Sequence, residues 1–271
     1  MPSTDQQHVQ YGTVEAVDRL TPSMIRIVFG GAGLAGFTRT DATDQYVNAA
    51  FVPDGVPYSV PFDPDAVRDL DPAMRPRNRR YTVRAWDPDT RRLTIDFVAH
   101  GDAGYAGRWA QRATVGDRLQ MAGPSGDYRP DPTAAWHLMV GDESALPAIA
   151  ASMEVLDDDR RCEVIVVVDG PEHEIAMPGG ASVRWLHRCT SAAPEELLAD
   201  AVARLGWHPG RADVFVHGEA AEVRAVRRFL IAERGVDRSA ASISPYWRRD
   251  HTDEAWREVK RQWLTEQAQD V

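Results

Sequence analysis

A chain of 271 residues, 43% apolar and 27% charged, has the make-up of an ordinary globular protein and is long enough to bury two cores. Its net charge of −10 argues against a broad electrostatic grip on nucleic acid or on an anionic membrane, and no apolar run is long enough to cross a bilayer. The opening MPSTDQQHVQYG lacks the basic and apolar regions of a signal peptide, so the expected location is the cytoplasm.

The first half predicts β-structure. Residues 9–20, 24–29 and 45–52 are short apolar-rich runs separated by turn residues, and 81–85 and 93–99 follow. Between the last two, Trp86-Asp87-Pro88-Asp89-Thr90 reads as a hairpin turn. A further strand is expected at 118–122, and many short strands with little helix imply a small antiparallel barrel. Six prolines between Pro53 and Pro76 mark an excursion from that barrel, with room for one short helix.

The second half alternates. Strands are expected at 136–140, 164–168, 183–186 and 213–217, and helices at 145–156, 194–205 and 220–234. Such alternation predicts a parallel sheet. A tail helix over 252–267 closes the chain, with Thr252 and Asp253 as capping candidates and Trp256 and Trp263 on its core face. Two prolines in DYRPDPT place the boundary so that residues 1–130 form the barrel domain and 131–271 the α/β domain. Cys162 and Cys189 have no CxxC spacing, which speaks for buried free thiols rather than a zinc or iron–sulfur site.

Two stretches carry chemistry. Arg79-Arg80-Tyr81-Thr82-Val83-Arg84 sets an aromatic face, a hydroxyl and several guanidiniums on one strand, the set a flavin needs for its ring, its N5 and its pyrophosphate. The same hexapeptide also reads as a surface strand with solvated arginines. Downstream, DFVAHGDAG ends a strand in a glycine-rich turn that opens a short helix at Tyr105-Ala106-Gly107-Arg108-Trp109. The free N–H groups of such a helix start bind phosphate well.

With these motifs the sequence resembles the siderophore-interacting protein family, the FAD-dependent ferric-siderophore reductases of the ferredoxin-reductase superfamily. That family carries an R-x-Y-T-x-R strand and then D-F-V-x-H-G-D-x-G followed by R-W-A, standing here as RRYTVR and DFVAHGDAG…GRWA. GDESALPAI from Gly141, HGEA from His217 and YWRR from Tyr246 add three further matches in the same order. The resemblance implies an N-terminal antiparallel FAD-binding β-barrel followed by a C-terminal α/β nucleotide-binding domain with a parallel sheet. It implies that Arg79, Tyr81 and Thr82 contact FAD, and that His100, Gly104, Ala106 and Gly107 hold the rest of the flavin and its pyrophosphate. Asp142, Glu143 and Ser144 then lie near the nicotinamide end of the donor. The same turn also reads as a plain strand-to-helix connection capped by Asp142 or Ser144. Gly218 and Glu219 end the last parallel strand expected, where open α/β sheets bind ligands. Trp247 either covers the flavin or lines the acceptor site, or it pairs with Tyr246 to dock the tail helix.

Three positions depart from the family pattern. Tyr105 and Gly107 stand where many relatives have proline and then serine, Gly107 keeping the N–H and losing the hydroxyl. Asn48 stands where the pattern places a lysine for the ferric siderophore, with Arg129 and Arg248 as residues able to compensate. The implied activity is electron transfer from NADH, NADPH or a ferredoxin through FAD to a ferric siderophore by a monomeric enzyme, with Asp169, Glu172 and Arg188 as candidates near the ribose 2′ position. Its rivals are a flavin reductase of other purpose and a non-catalytic carrier.

Overall fold

The computed structural model describes residues 9–99, 104–180 and 182–270. The chain divides into two compact units between Asp127 and Tyr128.

In the first unit β1 (Tyr11–Thr21), β2 (Met24–Gly30), β3 (Tyr46–Phe51), β4 (Arg77–Asp87), β5 (Arg92–Val98) and β6 (Arg118–Ser125) close a barrel in the order β1-β2-β5-β4-β3-β6. Every neighbouring pair is antiparallel. Side chains of a strand alternate between faces, so Ile25, Ile27 and Phe29, then Val47, Ala49 and Phe51, then Leu93, Ile95 and Phe97 all enter one core. Between β3 and β4 runs the proline-rich excursion. It holds α1 (Pro64–Arg68) and a single 3-10 turn at Pro72–Met74, each opened by an Asp-Pro pair in which Asp63 or Asp71 caps the turn. The expected hairpin turn is pinned by Asp87, whose carboxylate accepts from the N–H groups of Asp89 and Thr90 and from the Thr90 hydroxyl. After β5, α2 (Tyr105–Arg112) closes the barrel, with Trp109 packed among Phe29, Phe51 and Phe97 at ring distances of 6.2, 5.7 and 5.9 Å.

The second unit holds a parallel sheet of β7 (Trp136–Asp142), β8 (Cys162–Val168), β9 (Val183–His187), β10 (Ala212–Glu219) and β11 (Ala241–Trp247), ordered β11-β10-β7-β8-β9. Its helices are α3 (Leu146–Met153), α4 (Leu197–Ala203), α5 (Ala220–Arg228) and α6 (Asp253–Gln269). β7 and β10 are buried along their whole length, as strands covered on both faces must be. The expectation that both thiols are buried is corrected, since Cys189 is exposed and Cys162 half-buried. The expectation that β10 is the last parallel strand is corrected as well: β11 extends the sheet beside it. Its sequence ASISPYW has few large apolar residues, and Pro245 cannot donate to a ladder, so the pattern does not announce a strand, yet both are tolerated at a sheet edge. α5 also ends earlier than expected, running on as one π turn over Phe229–Glu233. Thr252 caps α6, accepting from Ala255 N–H at 3.2 Å, and Trp256 and Trp263 are buried 5.6 Å apart.

At the N-terminal edge of this sheet one carboxylate oxygen of Asp213 accepts from the Tyr128 hydroxyl at 2.9 Å and the Asp131 N–H at 3.0 Å, with His137 Nδ1 at 3.1 Å. All of Tyr128, His137 and Asp213 are buried. Tyr128→Phe removes one donor from this set and is expected to lower stability by about 1 kcal/mol in urea unfolding, with no change in flavin binding.

Candidate functional site

In the barrel, β4 turns its residues alternately. Arg77, Arg79 and Tyr81 are half-buried, while Asn78 and Arg80 between them are exposed. The Tyr81 ring rests 4.4 Å from Phe97 and 6.2 Å from Phe51, so the core fixes its plane. Thr82, next along the strand, is half-buried as well. The start of α2 meets this face through Tyr105, whose ring has the Arg77 and Arg108 guanidiniums each 5.5 Å away. Gly104 precedes the helix at φ +85°, a backbone that favours glycine. Among the described residues no side chain accepts from the first N–H groups of α2, so Ala106 and Gly107 present theirs. A Cβ built at Gly107 meets only ordinary contacts, at 3.5 Å from Ala99 Cα, so packing among the described residues leaves room for a side chain there.

These donors fit FAD. The start of an eight-residue helix that no described side chain caps, with arginines beside it, suits a pyrophosphate, and a tyrosine held by the core offers a flat face to a ring. Arg77 was missed in the sequence reading, although it continues the two-residue spacing of Arg79 and Tyr81. His100 lies outside the described residues. Asn48 sits on β3 with Arg80 as its Cα partner on β4, and the Arg80 guanidinium lies 5.1 Å from the Tyr46 ring.

In the second unit the strand order reverses between β7 and β10, and ligands of open α/β sheets bind at the carboxyl ends of such strands. There Asp142, wholly buried, gathers three elements. Its Oδ1 accepts from Ser144 N–H at 2.8 Å and Ser144 Oγ–H at 2.5 Å. Its Oδ2 accepts from Glu219 N–H at 2.8 Å and from Trp247 Nε1–H at 2.7 Å. Gly218 makes this approach possible, since a Cβ there would stand 2.7 Å from Asp142 Oδ2. Neither Asp142 nor Ser144 caps α3; both serve the turn itself. Glu219 instead caps α5, accepting from Ala221 N–H at 2.6 Å and Glu222 N–H at 3.1 Å.

Buried Glu143 pairs with Arg188, whose Nη1 is 2.7 Å from Glu143 and 3.0 Å from Asp169. Burial and the Asp142 charge push the Glu143 carboxyl up against the pull of Arg188. Burial works against the charge of Arg188, but the Glu143 pair outweighs it and holds the guanidinium above its ordinary value. Glu222, which the sequence reading passed over, is buried beside this set. Burial, then Asp142, pushes its carboxyl to about 7, against Arg188 and Arg249. Trp247 is therefore bonded to Asp142, and Tyr246 packs on His217 at 4.7 Å. The tail helix is met by Arg248, 5.9 Å over the Trp256 ring. Arg129 is exposed and follows Tyr128, near the first residues of β10, whereas Arg248 follows the end of β11; the fold does not bring these two arginines together.

Among the described residues no helix is long and apolar enough to cross a membrane, and no group of three or more His, Cys, Asp or Glu is placed to hold a metal ion.

Known proteins agree with this architecture. Ferric vibriobactin reductase ViuB of Vibrio cholerae is 37% identical over 70% of this chain and 71% of its own. The NADPH-dependent ferric-chelate reductase of Escherichia coli is 31% identical over 87% of this chain and 91% of its own. A crystal structure of a siderophore utilization protein from T. fusca superposes with a TM-score of 0.77 at 34% identity, covering 90% of this chain and 94% of that one. Phthalate dioxygenase reductase, at 12% identity and a TM-score of 0.64 over 91% of this chain and 70% of that one, shares the fold alone. The siderophore-interacting FAD-binding domain matches residues 13–128 and the siderophore-interacting protein domain residues 134–250, so the chain belongs to the siderophore-interacting protein family.

Proposed function

We propose that this protein is a cytoplasmic, FAD-dependent reductase that passes electrons from NADH or NADPH to a ferric siderophore. The observation that carries the reading is the face built by Arg77, Arg79 and Tyr81 on β4 beside the start of α2, whose first N–H groups no described side chain caps. Arg77, Arg79 and the N–H groups of Ala106 and Gly107 hold the pyrophosphate, Tyr81 orients the ring system and Thr82 supplies a hydroxyl donor to it. Bound FAD supplies the change from two-electron to one-electron transfer that a nicotinamide donor and a ferric acceptor require.

The second unit presents the donor edge. The Asp142–Ser144 turn, Gly218 and Glu219 shape the end of the sheet where a nicotinamide nucleotide binds in such folds. The E. coli relative, named for NADPH, supports a nicotinamide donor over a ferredoxin. For the acceptor, the oxygen donors of a siderophore grip Fe(III) far more tightly than Fe(II), so reduction releases the metal and no protein ligand to iron is needed. The relatives named as ferric reductases support this acceptor class. Asn48, which stands where the family pattern has a lysine, is the residue proposed to meet it.

The test is reconstitution. The purified chain is expected to take up FAD, to lose flavin absorbance with NADH or NADPH, and to regain it with a ferric siderophore while a ferrous trap colours. A protein that takes up no flavin overturns the reading. Reduced flavin that ignores every ferric siderophore would favour a flavin reductase of other purpose, with Asn48 the residue to examine first. Arg79→Ala is expected to weaken FAD binding about 10- to 100-fold, the worth of a charge-assisted hydrogen bond, as read by flavin fluorescence titration.

A further inference from the structure

Three buried acids grip the chain where β11 gives way to the turn before α6. Asp142 holds the indole of Trp247 at 2.7 Å. Glu219 Oε1 accepts from the backbone N–H of Arg249 at 3.1 Å. Glu222 Oε1 accepts from the Arg249 guanidinium at 2.8 Å, and the Glu222 side chain has no exposed surface. Beyond Arg249 the chain turns sharply: Asp250 adopts φ +59°, and His251 N–H bonds back to Arg248 C=O at 3.2 Å. Thr252 then opens α6. The segment from Trp247 to His251 is thus a short strap drawn across the carboxyl end of the sheet and held largely by side chains.

Of the three anchors Glu222 differs in one respect. Its second oxygen, Oε2, is buried without a hydrogen-bond partner, whereas both oxygens of Asp142 and of Glu219 accept. The charged groups that face it are Asp142 from β7, Arg188 after β9, Glu219 at the end of β10 and Arg249 after β11. Two carboxylates and two guanidiniums leave its own charge undecided, and desolvation tips the balance toward the neutral acid.

We propose that Glu222 is a positioning residue for the donor edge of the sheet: as a carboxylate it ties Arg249, and with it the Trp247–His251 strap, to α5, and on taking up a proton it releases that strap. The changeover falls in the neutral range, since the group stands at about 7. Its consequence for electron transfer rests on the function proposed above, but the strap's behaviour does not.

Amide hydrogen exchange on the full chain, without nucleotide, tests it. After correction for intrinsic exchange, protection of the Arg249 amide in the wild type is expected to fall about tenfold between pH 8 and pH 6, the worth of a charge-assisted bond to the guanidinium. In Glu222→Gln it is expected to stay at the low value across that range. Arg249→Met breaks the same pair from its solvent side and is expected to give the same flat profile, which guards against a folding defect specific to the buried position. A wild-type amide whose protection does not change with pH, or a Glu222→Gln protein that keeps the wild-type change, overturns the proposal. A steady-state arm reads the KM for NADH or NADPH, expected to rise below pH 7 in the wild type and to be independent of pH in Glu222→Gln. Should the protein reduce no flavin, that arm falls with the proposed function while the exchange result still decides the strap.

Discussion

Replacing Asp142 with alanine is expected to lower the stability of the protein by about 4 kcal/mol, read as the shift in urea unfolding. The carboxylate is wholly buried and accepts four hydrogen bonds, from the Ser144 N–H and hydroxyl, the Glu219 N–H and the Trp247 indole. Truncation strands all four donors, and each buried orphan costs about 1–3 kcal/mol. Their sum is an upper bound, because the Asp142 charge also works against Glu143 and Glu222, and that repulsion disappears with the side chain. An asparagine in its place would keep the shape but offer a single accepting atom, so Asp142→Asn is expected to cost about half as much. Alanine at a cost below about 1 kcal/mol would mean that water satisfies these donors and that the three elements are not held by this carboxylate.

Asp142 also shows where sequence reasoning reaches and where it stops. GDES was legible as a turn at the end of a strand, and its place at the end of β7 follows from the apolar run before it. That its carboxylate would reach Trp247, 105 positions away, depends on β11, and no apolar pattern announces that strand. ASISPYW is a half-buried edge strand carrying a proline, so neither alternation nor continuous hydrophobicity marks it. The barrel was the easy part, since 25-27-29, 47-49-51 and 93-95-97 repeat every second residue. The exception is the start of β4, where RNRR pairs with β3 but carries no apolar side chain, which hides Arg77 from any hydrophobic count. Glu222 was invisible for a different reason. An acid in the first turn of a helix is the expected complement to the helix dipole, and only the fold reveals that this one has lost its water.

That loss makes the stability of Glu222→Gln a question of pH. The folded carboxyl stands at about 7 and the ordinary value is 4.5. Below 4.5 both folded and unfolded chains hold the proton, and the group contributes no difference. As pH rises the unfolded chain releases its proton first, so the folded state loses stability progressively until pH passes about 7, a total of about 3 kcal/mol. Glutamine never ionises. The unfolding free energy of Glu222→Gln minus that of the wild type is therefore expected to climb by about 3 kcal/mol between pH 4.5 and about pH 8 in urea unfolding. Glu143, also pushed up, has the same sign but is present in both proteins and cancels to first order. The same deprotonation that weakens the fold strengthens the bond from Arg249, so global stability and strap protection should move in opposite directions with pH. Parallel stability curves for the two proteins would mean that Glu222 keeps an ordinary carboxyl, and the release of Arg249 would then have to occur well below neutrality.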